Sequence, residues 1–167
     1  MELTISMFKI EEIEQKISSI PDPEIPVITI KELGVLRSIS VEKGKLTIKI
    51  TPTYSGCPAM DRFQADIEEV IKELNIENYQ IQMQYNPPWT TDWMSKEAKE
   101  KLRAFGIAPP EHKTSDKNAI LGAPSKVICP KCSSTETELV SPFGSTACKA
   151  LYKCNSCLEP FDYFKCI

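Results

Sequence analysis

The sequence is poor in histidine, in basic charge and in long apolar runs. Its 167 residues contain one histidine, His112, and 20 basic residues against 23 acidic ones. One histidine excludes the paired Glu-x-x-His motifs of a di-iron carboxylate site, and the net charge of −3 does not favour nucleic acid as a partner. The N-terminus carries no continuous apolar stretch, so we expect a cytoplasmic protein without a signal peptide or membrane anchor.

Motifs for nucleotide binding and for hydrolysis are also missing. Neither GxGxxG, nor GxxxxGK[ST], nor HExxH occurs. His112 follows Pro109 and Pro110 in a predicted linker, which disfavours a catalytic cysteine–histidine pair. Little classical acid–base machinery therefore remains, so we predict no catalytic residues, and a thiol enzyme using Cys57 is the least favoured alternative.

Apolar periodicity predicts an α+β domain over residues 1–106. Apolar residues recur at steps of three and four in some segments, which is typical of amphipathic helices, and alternate in others, which is typical of half-buried strands. We expect helices on one face of a small β-sheet. The predicted elements are a helix through Phe8 and Ile17 ending near Ser19, a hairpin around 35–41 and 46–50, a helix from Pro58 to Leu74, an alternating strand over 79–85, and a helix capped by Ser95 and stopped by Gly106.

A second, smaller module is predicted at the C-terminal end. Residues 107–125 contain Pro109, Pro110 and Pro124 and are expected to be a linker. Residues 126–167 then carry two CxxC pairs. Seven cysteines without an export signal favour metal ligation in a reducing compartment over disulfides.

The two CxxC pairs predict a four-cysteine zinc ribbon. Cys129 and Cys132 form the first pair, and Cys154 and Cys157 form the second. This spacing lets each tight turn direct two thiolates at one tetrahedral ion, and a closed four-cysteine shell is typical of structural zinc. Redox iron or an iron–sulfur cluster is the alternative. Two further thiols in the module, Cys148 and Cys166, are expected to be small buried side chains.

A different setting surrounds Cys57. It follows Gly56 and precedes Pro58, so it is expected at or near the N-cap of a helix. Free amides and the helix dipole favour a thiolate there, which could act as a nucleophile, metal ligand or redox group. Asp22 and Glu24, in a proline-stiffened loop, could approach it and suit a hard metal or transient iron. The alternatives are an inert cysteine and carboxylates that cap loop amides or are simply solvated.

Two tryptophans flank the stretch TTD. Trp89 and Trp93 could form a surface for a partner, although packing of the following helix on the core explains them more simply.

Several longer motifs carry a family resemblance. The segments DPEIP, LGVLRSI, TPTYSGCPAM, PPWTTDWM, KLRAFGIAPP and FGSTACKALYKCNSCLEPFDYFK together closely resemble the phenylacetate-degradation protein D family. The first domain resembles the broader family of small metal–sulfur cluster assembly proteins, which includes SufT-like factors. There DPE and the GCP cysteine are hallmark residues, and they correspond here to Asp22, Glu24 and Cys57.

The resemblance implies a role beside a multicomponent oxygenase. It implies an accessory subunit of the system that converts phenylacetyl-CoA to its ring 1,2-epoxide, with the oxygenase and the iron–sulfur flavin reductase as partners. One hypothesis is that the protein helps to install iron or an iron–sulfur cluster in a partner, with Cys57 as a transient ligand. The zinc of the ribbon would be structural. The alternative is a structural adaptor linking oxygenase and reductase. A homodimer is left open.

Overall fold

The computed structural model describes residues 7–110 and 127–165. Most of the predicted linker lies outside these ranges, as do His112 and Cys166. The chain divides into two compact units, Met1–Trp89 and Thr90–Ile167. Each unit combines helix and strand around its own small sheet.

The first unit confirms the predicted α+β fold. Its sheet has the order β1-β2-β3, in which β2 pairs antiparallel with β1 and parallel with β3. A parallel pair needs a crossover, and the second helix supplies it. The elements are α1 Met7–Ser18, β1 Leu36–Glu42, β2 Lys45–Ile50, α2 Ala59–Glu73 and β3 Tyr79–Met83.

Apolar periodicity explains how these elements pack. On α2, Phe63, Ile67 and Ile71 lie on one face and are buried, as the spacing of three and four requires. On β2, the inward positions alternate with half-buried or exposed ones. Each fully buried large apolar side chain contributes about 1.5–3 kcal/mol to the transfer free energy. The β1–β2 turn is made by Lys43 and Gly44, both with positive φ, as a tight hairpin requires.

β3 differs from its prediction. The sequence alternates apolar and polar residues and predicts one buried and one solvated face, but all five residues of Tyr79–Met83 are half-buried. Among the described residues, the strand lies at the edge of its sheet and pairs with β2 alone.

The second unit is a four-stranded sheet preceded by a helix. The sheet order is β4-β7-β6-β5, with β4 parallel to β7 and the other pairs antiparallel. The elements are a 3-10 turn Thr91–Trp93, α3 Lys96–Phe105, β4 Ile107–Ala108, β5 Thr137–Ser141, β6 Lys149–Cys154 and β7 Pro160–Phe164.

The ends of α3 follow the predicted capping chemistry. The Ser95 hydroxyl accepts a hydrogen bond from the Ala98 amide at 3.0 Å, and Gly106 closes the helix in the left-handed conformation with φ of 96°. Met94, Ala98 and Leu102 are buried, whereas Phe105 is 50% exposed.

The boundary between the units differs from the expected one. The sequence placed α3 in the first domain and Ile107 in a linker, whereas both belong to the second unit. Ile107 and Ala108 are buried and pair with Asp162 and Tyr163 on β7. A two-residue strand has no periodicity of its own, and the prolines that follow it dominate the composition.

Aromatic side chains form the core between the ribbon strands. The Tyr152 ring lies 6.0 Å from the Phe161 ring and 5.6 Å from the Tyr163 ring, measured between centroids. The cluster includes Cys129 and Cys154, so the ribbon cysteines lie beside this core. Phe161, Tyr163 and Phe164 are buried.

Within residues 7–110 and 127–165, none of the helices is both long enough and apolar enough to span a bilayer.

Candidate metal centre and cysteine loop

Four thiols of the ribbon converge on one point. The Sγ atoms of Cys129, Cys132, Cys154 and Cys157 all lie within 4.8 Å of one another. Cys129 Sγ is 3.8 Å from Cys157 Sγ, and Cys132 Sγ is 3.5 Å from Cys154 Sγ. A tetrahedral zinc ion with Zn–S bonds of about 2.3 Å places its sulfurs about 3.8 Å apart. The donor set and its spacing therefore fit a tetrahedral thiolate site.

Both CxxC turns have the same backbone design. The residue four positions after the first cysteine has positive φ in each turn: Ser133 at 61° and Leu158 at 65°. The Cys129 amide donates to the Ser134 carbonyl at 2.9 Å, and the Cys154 amide donates to the Glu159 carbonyl at 3.0 Å. A left-handed backbone conformation at a leucine costs about 1–2 kcal/mol, which the rest of the turn must offset.

Side-chain and backbone contacts tie the two turns together. Ser134 Oγ lies 2.7 Å from Ser156 Oγ, and the Asn155 amide donates to the Glu136 carbonyl at 2.7 Å. Lys131 Nζ pairs with Glu159 at 2.7 Å, and this hydrogen bond raises the pKa of Lys131. The contacts hold both turns in register without using the sulfur atoms.

The pKa values of the ribbon thiols are shifted in opposite directions. The Cys157 amide, 3.5 Å from Cys154 Sγ, is the main cause that lowers the pKa of Cys154 to about 6. For Cys132 the Ser134 amide lowers the pKa, but hydrogen bonding with neighbouring thiols, first Cys154, and burial outweigh it and raise the pKa to about 12. The pKa of Cys157 is also raised, because burial and neighbouring thiols outweigh the Glu159 amide. Metal binding must therefore displace protons.

Cys148 stands apart from this centre. It is buried, as expected for a structural thiol, and its Sγ lies 3.0 Å from Thr146 Oγ1. The group of ligand-type side chains found in the described ranges does not include it.

Cys57 occupies the predicted place at the start of α2. It directly precedes Pro58, the N-cap residue, and its carbonyl accepts a hydrogen bond from the Met60 amide at 3.2 Å. Gly56 has φ of 77°, which lets the chain turn sharply into the helix. The Cys57 side chain is half-buried, and Thr53 Oγ1 donates to its Sγ at 3.9 Å.

Asp22 has a structural role in its own loop. It is 6% exposed, and its Oδ1 accepts hydrogen bonds from the Glu24 amide at 2.8 Å and the Ile25 amide at 2.7 Å. This is the loop-capping alternative considered from the sequence. Glu24 is half-buried. In the described part of the chain, Cys57, Asp22 and Glu24 are not drawn together into a cluster that could share an ion, in contrast to the ribbon cysteines.

Trp89 packs in the first unit. It is buried, and its Nε1 donates to the Leu33 carbonyl at 3.0 Å. Trp89 is therefore part of the core of the first unit. Trp93 is half-buried in the second unit.

Sequence reasoning missed Thr53. It is 7% exposed and contacts the cysteine four positions later. A hydroxyl in the same short loop as a cysteine is the signal that could have identified it, because Gly56 brings the two ends of the loop together.

Two family models define the class of protein. Residues 10–81 match the model described as iron-sulfur cluster assembly protein, and residues 113–165 match the PaaD zinc beta ribbon domain. The crystal structure of a domain of unknown function, DUF59, from Bacillus anthracis has the same fold, with a TM-score of 0.50 and 24% identity over 56% of this chain and 90% of that one. The chain combines an assembly-type α+β domain with a zinc ribbon.

Relatives narrow this class to one family. The chain is 48% identical to the D component of the putative 1,2-phenylacetyl-CoA epoxidase of Escherichia coli, over 98% of this chain and 97% of that protein. It therefore belongs to the PaaD family. The Fe-S protein maturation auxiliary factor SufT of Staphylococcus aureus is 34% identical over 48% of this chain and 93% of its own length. The maturation factors match only part of this chain.

Proposed function

We propose that this protein is an accessory subunit of a phenylacetyl-CoA epoxidase system that helps to mature an iron or iron–sulfur centre in an oxygenase or reductase subunit. The observation that carries the proposal is a half-buried Cys57 on a sharp turn at the start of α2, within a domain that matches cluster assembly proteins. The name of the full-length relative supports a place in the phenylacetyl-CoA epoxidase system. The shorter SufT relative, named as an Fe-S protein maturation auxiliary factor, supports a role in maturing a metal centre. The acceptor would be another subunit in the cytoplasm.

In this proposal Cys57 is the transient ligand. A thiolate is a soft ligand suited to iron and to iron–sulfur clusters. Asp22 Oδ1 also holds the loop through its two amide contacts, and Asp22 and Glu24 are the carboxylates of the DPE motif that could bind iron with Cys57. The sequence has one histidine, so general-base catalysis by a cysteine–histidine pair has little support, and the protein would act without a catalytic residue of its own.

The ribbon would hold structural zinc. Cys129, Cys132, Cys154 and Cys157 supply four thiolates at tetrahedral spacing and leave no coordination position for a substrate. A bound zinc ion would contribute folding free energy to a module with a small aromatic core.

Metal analysis of protein purified without oxygen tests the proposal. Zinc, iron and acid-labile sulfide per chain are compared between wild type, Cys57→Ser and the control Cys148→Ser, which changes a buried cysteine outside the metal cluster. We expect equal zinc in all three, with iron and sulfide lost only from Cys57→Ser. Sedimentation of the iron-loaded protein shows whether two chains share the iron. Client iron content and epoxidase activity in cells unchanged by Cys57→Ser would contradict the role.

A second candidate function is a structural adaptor between oxygenase and reductase. Among the described residues, most large apolar side chains that are strongly exposed lie in the second unit, and three fall within five consecutive positions at and just after β5: Leu139 at 41%, Val140 at 55% and Phe143 at 66%. Exposed apolar side chains that lie close together are typical of protein interaction sites. The SufT relative aligns with less than half of this chain, so a maturation role by itself does not account for the rest of the chain.

Co-purification separates the two functions. Replacing Leu139, Val140 and Phe143 with serine changes exposed positions, and Tyr85→Ser, at a position 67% exposed in the first unit, is the matched control. Loss of the oxygenase–reductase complex with intact client clusters would support the adaptor. An intact complex with depleted clusters in the Cys57→Ser strain would support maturation.

A further inference from the structure

We propose that β3 is an interface through which two copies of this chain pair, strand against antiparallel strand, into one continuous sheet. The inference goes beyond the proposed function and depends neither on Cys57 nor on iron. It concerns the open edge of the sheet in the first unit, where Tyr79–Met83 pairs with β2 alone among the described residues. Three features of this edge support the pairing: its lack of protection, the direction of its backbone groups and its self-complementary sequence.

The other sheet edges in the described ranges carry features that discourage pairing, and β3 does not. β1 contains Arg37 and Glu42 and has a register shift after Leu36. β5 contains Glu138 and also has a register shift, and β4 has only two residues. Charges, bulges and shortness are the devices by which proteins protect open edges. β3 has five residues, none of them charged or proline, and keeps its register with β2 throughout.

The backbone of β3 presents hydrogen-bonding groups to the open side at alternate residues. The Gln84 amide donates to the Ile50 carbonyl at 2.8 Å, and the Leu46 amide donates to the Asn78 carbonyl at 3.0 Å. Even-numbered residues along this stretch therefore point their backbone groups at β2. Because consecutive residues of a strand point these groups in opposite directions, the odd-numbered residues, with Ile81 at the centre, point theirs outward.

The sequence of β3 is self-complementary in one antiparallel register. Centred on Ile81, this register places Ile81 opposite its own copy. Tyr79 then lies opposite Met83 of the second chain, and Gln80 lies opposite Gln82, so apolar side chains meet apolar ones and amides meet amides. The outward-pointing, odd-numbered residues also face one another, so each such pair can exchange both backbone hydrogen bonds. A two-fold axis through the central pair would make the interface isologous, as in most homodimers.

Pairing would also continue the apolar face of the sheet. On β2, Leu46, Ile48 and Ile50 are fully buried, and the register places Ile81 beside Ile48. Ile81 is only half-buried, as are the other residues of β3. The apolar face therefore runs from β2 into β3 and ends there partly covered. A second copy of β3 would extend this face with side chains of the same kind.

Sedimentation velocity of the full-length, zinc-loaded and iron-free protein tests the pairing. A five-residue edge buries little area, so we expect a weak dimer that forms between about 5 and about 500 µM. Gln80→Lys/Gln82→Lys places like charges opposite each other across the interface, whereas Gln80→Glu/Gln82→Lys places opposite charges there. The dissociation constant of the first variant should be at least about ten-fold higher than that of the second.

The two variants are matched, because they share Gln82→Lys and differ only at position 80. Glutamate at that position also keeps the acceptor for Lys45, whose Nζ donates to Gln80 Oε1 at 2.7 Å. A further control, Ser38→Lys/Ser40→Lys, adds two charges to β1 at the opposite edge of the sheet. These positions lie in register with the same two β2 residues as Gln80 and Gln82, so the control should leave the dissociation constant of wild type unchanged. Circular dichroism checks that each variant is folded.

Amide exchange of the wild type, followed by NMR, gives a second measurement that needs no variant. The Ile81 amide points outward, so its exchange should slow as the protein concentration rises into the range of the dimer. The Gln80 and Gln82 amides point at β2, and their exchange should be slow at every concentration. This alternation is specific to pairing at the open edge of β3.

Either of two results would overturn the inference. One is a wild type that stays monomeric to about 500 µM with unchanged exchange at Ile81, which would leave the edge to a strand of a different protein. The other is a dimer with the same dissociation constant in Gln80→Lys/Gln82→Lys and Gln80→Glu/Gln82→Lys, because the chains would then meet elsewhere. If the double-lysine variant does not fold, the exchange at Ile81 in the wild type decides alone.

Discussion

The two units of this protein present cysteine in opposite ways. In the ribbon, four thiols from two turns with the same backbone design meet within 4.8 Å. In the first unit, one half-buried thiol stands at the start of a helix with a single hydroxyl donor. A closed set of four thiolates is typical of a structural metal site that contributes to folding. In the proposed function, the ribbon centre would serve stability and Cys57 would serve exchange.

Removal of the ribbon metal should have the largest effect. Cys154→Ser takes away a buried ligand, and the lost metal would remove about 10–16 kcal/mol of binding free energy that is also folding free energy. We expect zinc content to fall to zero and amide exchange in β5, β6 and β7 to become fast. Protection in α2 should remain, since the first unit has its own sheet and core.

Cys148→Ser is the control for this experiment. It changes a buried ribbon cysteine that already contacts a hydroxyl, so zinc content should stay unchanged. Slow exchange in β5–β7 of zinc-free Cys154→Ser would show that the ribbon folds without its metal, and the contrast between the two units would fail.

The next largest effect is expected from a core substitution in the first unit, which should lower stability there and leave the ribbon metal in place. Phe63 is 1% exposed on the inner face of α2. Phe63→Ala should lower the free energy of unfolding by about 3–5 kcal/mol through lost transfer free energy and the cavity left behind. Urea unfolding followed by circular dichroism measures this change, while zinc content should remain that of wild type.

The exposed residue Phe105 provides the matched control for Phe63. It is also a helical phenylalanine, but 50% exposed. Phe105→Ala should change the free energy of unfolding by less than about 1 kcal/mol. Equal losses from the two substitutions would mean that burial in α2 does not hold the first unit together.

The sequence predicted features that depend on residues a few positions apart. It did not predict features that depend on contacts between distant parts of the chain. The spacing of Phe63 and Ile67 on α2, the cap at Ser95 and the CxxC pairs all act within a few residues, so the sequence shows them directly. β4 depends on pairing with a strand more than fifty positions later, so its two residues carried no signal. Asp22 was ambiguous for a related reason, because its two amide partners depend on how the loop closes.

Acid should release the ribbon metal while leaving the first unit intact. The steepness of this release with pH depends on how many protons the metal displaces from the ribbon thiols. At about neutral pH the metal-free Cys154, with its pKa lowered to about 6, is mostly ionised, whereas Cys132, with its pKa raised to about 12, is protonated. Cys157, whose pKa is also raised, is protonated too. All ligands of a bound zinc ion are thiolates, so binding displaces at least the protons of Cys132 and Cys157.

The apparent zinc affinity should therefore rise with pH, by at least about a hundred-fold per pH unit, because each displaced proton contributes about 1.4 kcal/mol. Competition with a chromophoric chelator between about pH 6 and about pH 8 measures the slope, and Cys148→Ser should reproduce it because that thiol lies outside the cluster. A flat profile would mean that the four thiols are already ionised before the metal arrives. In that case the ribbon would be a preformed site of four thiolates. Its contrast with Cys57 would then lie only in the number of ligands.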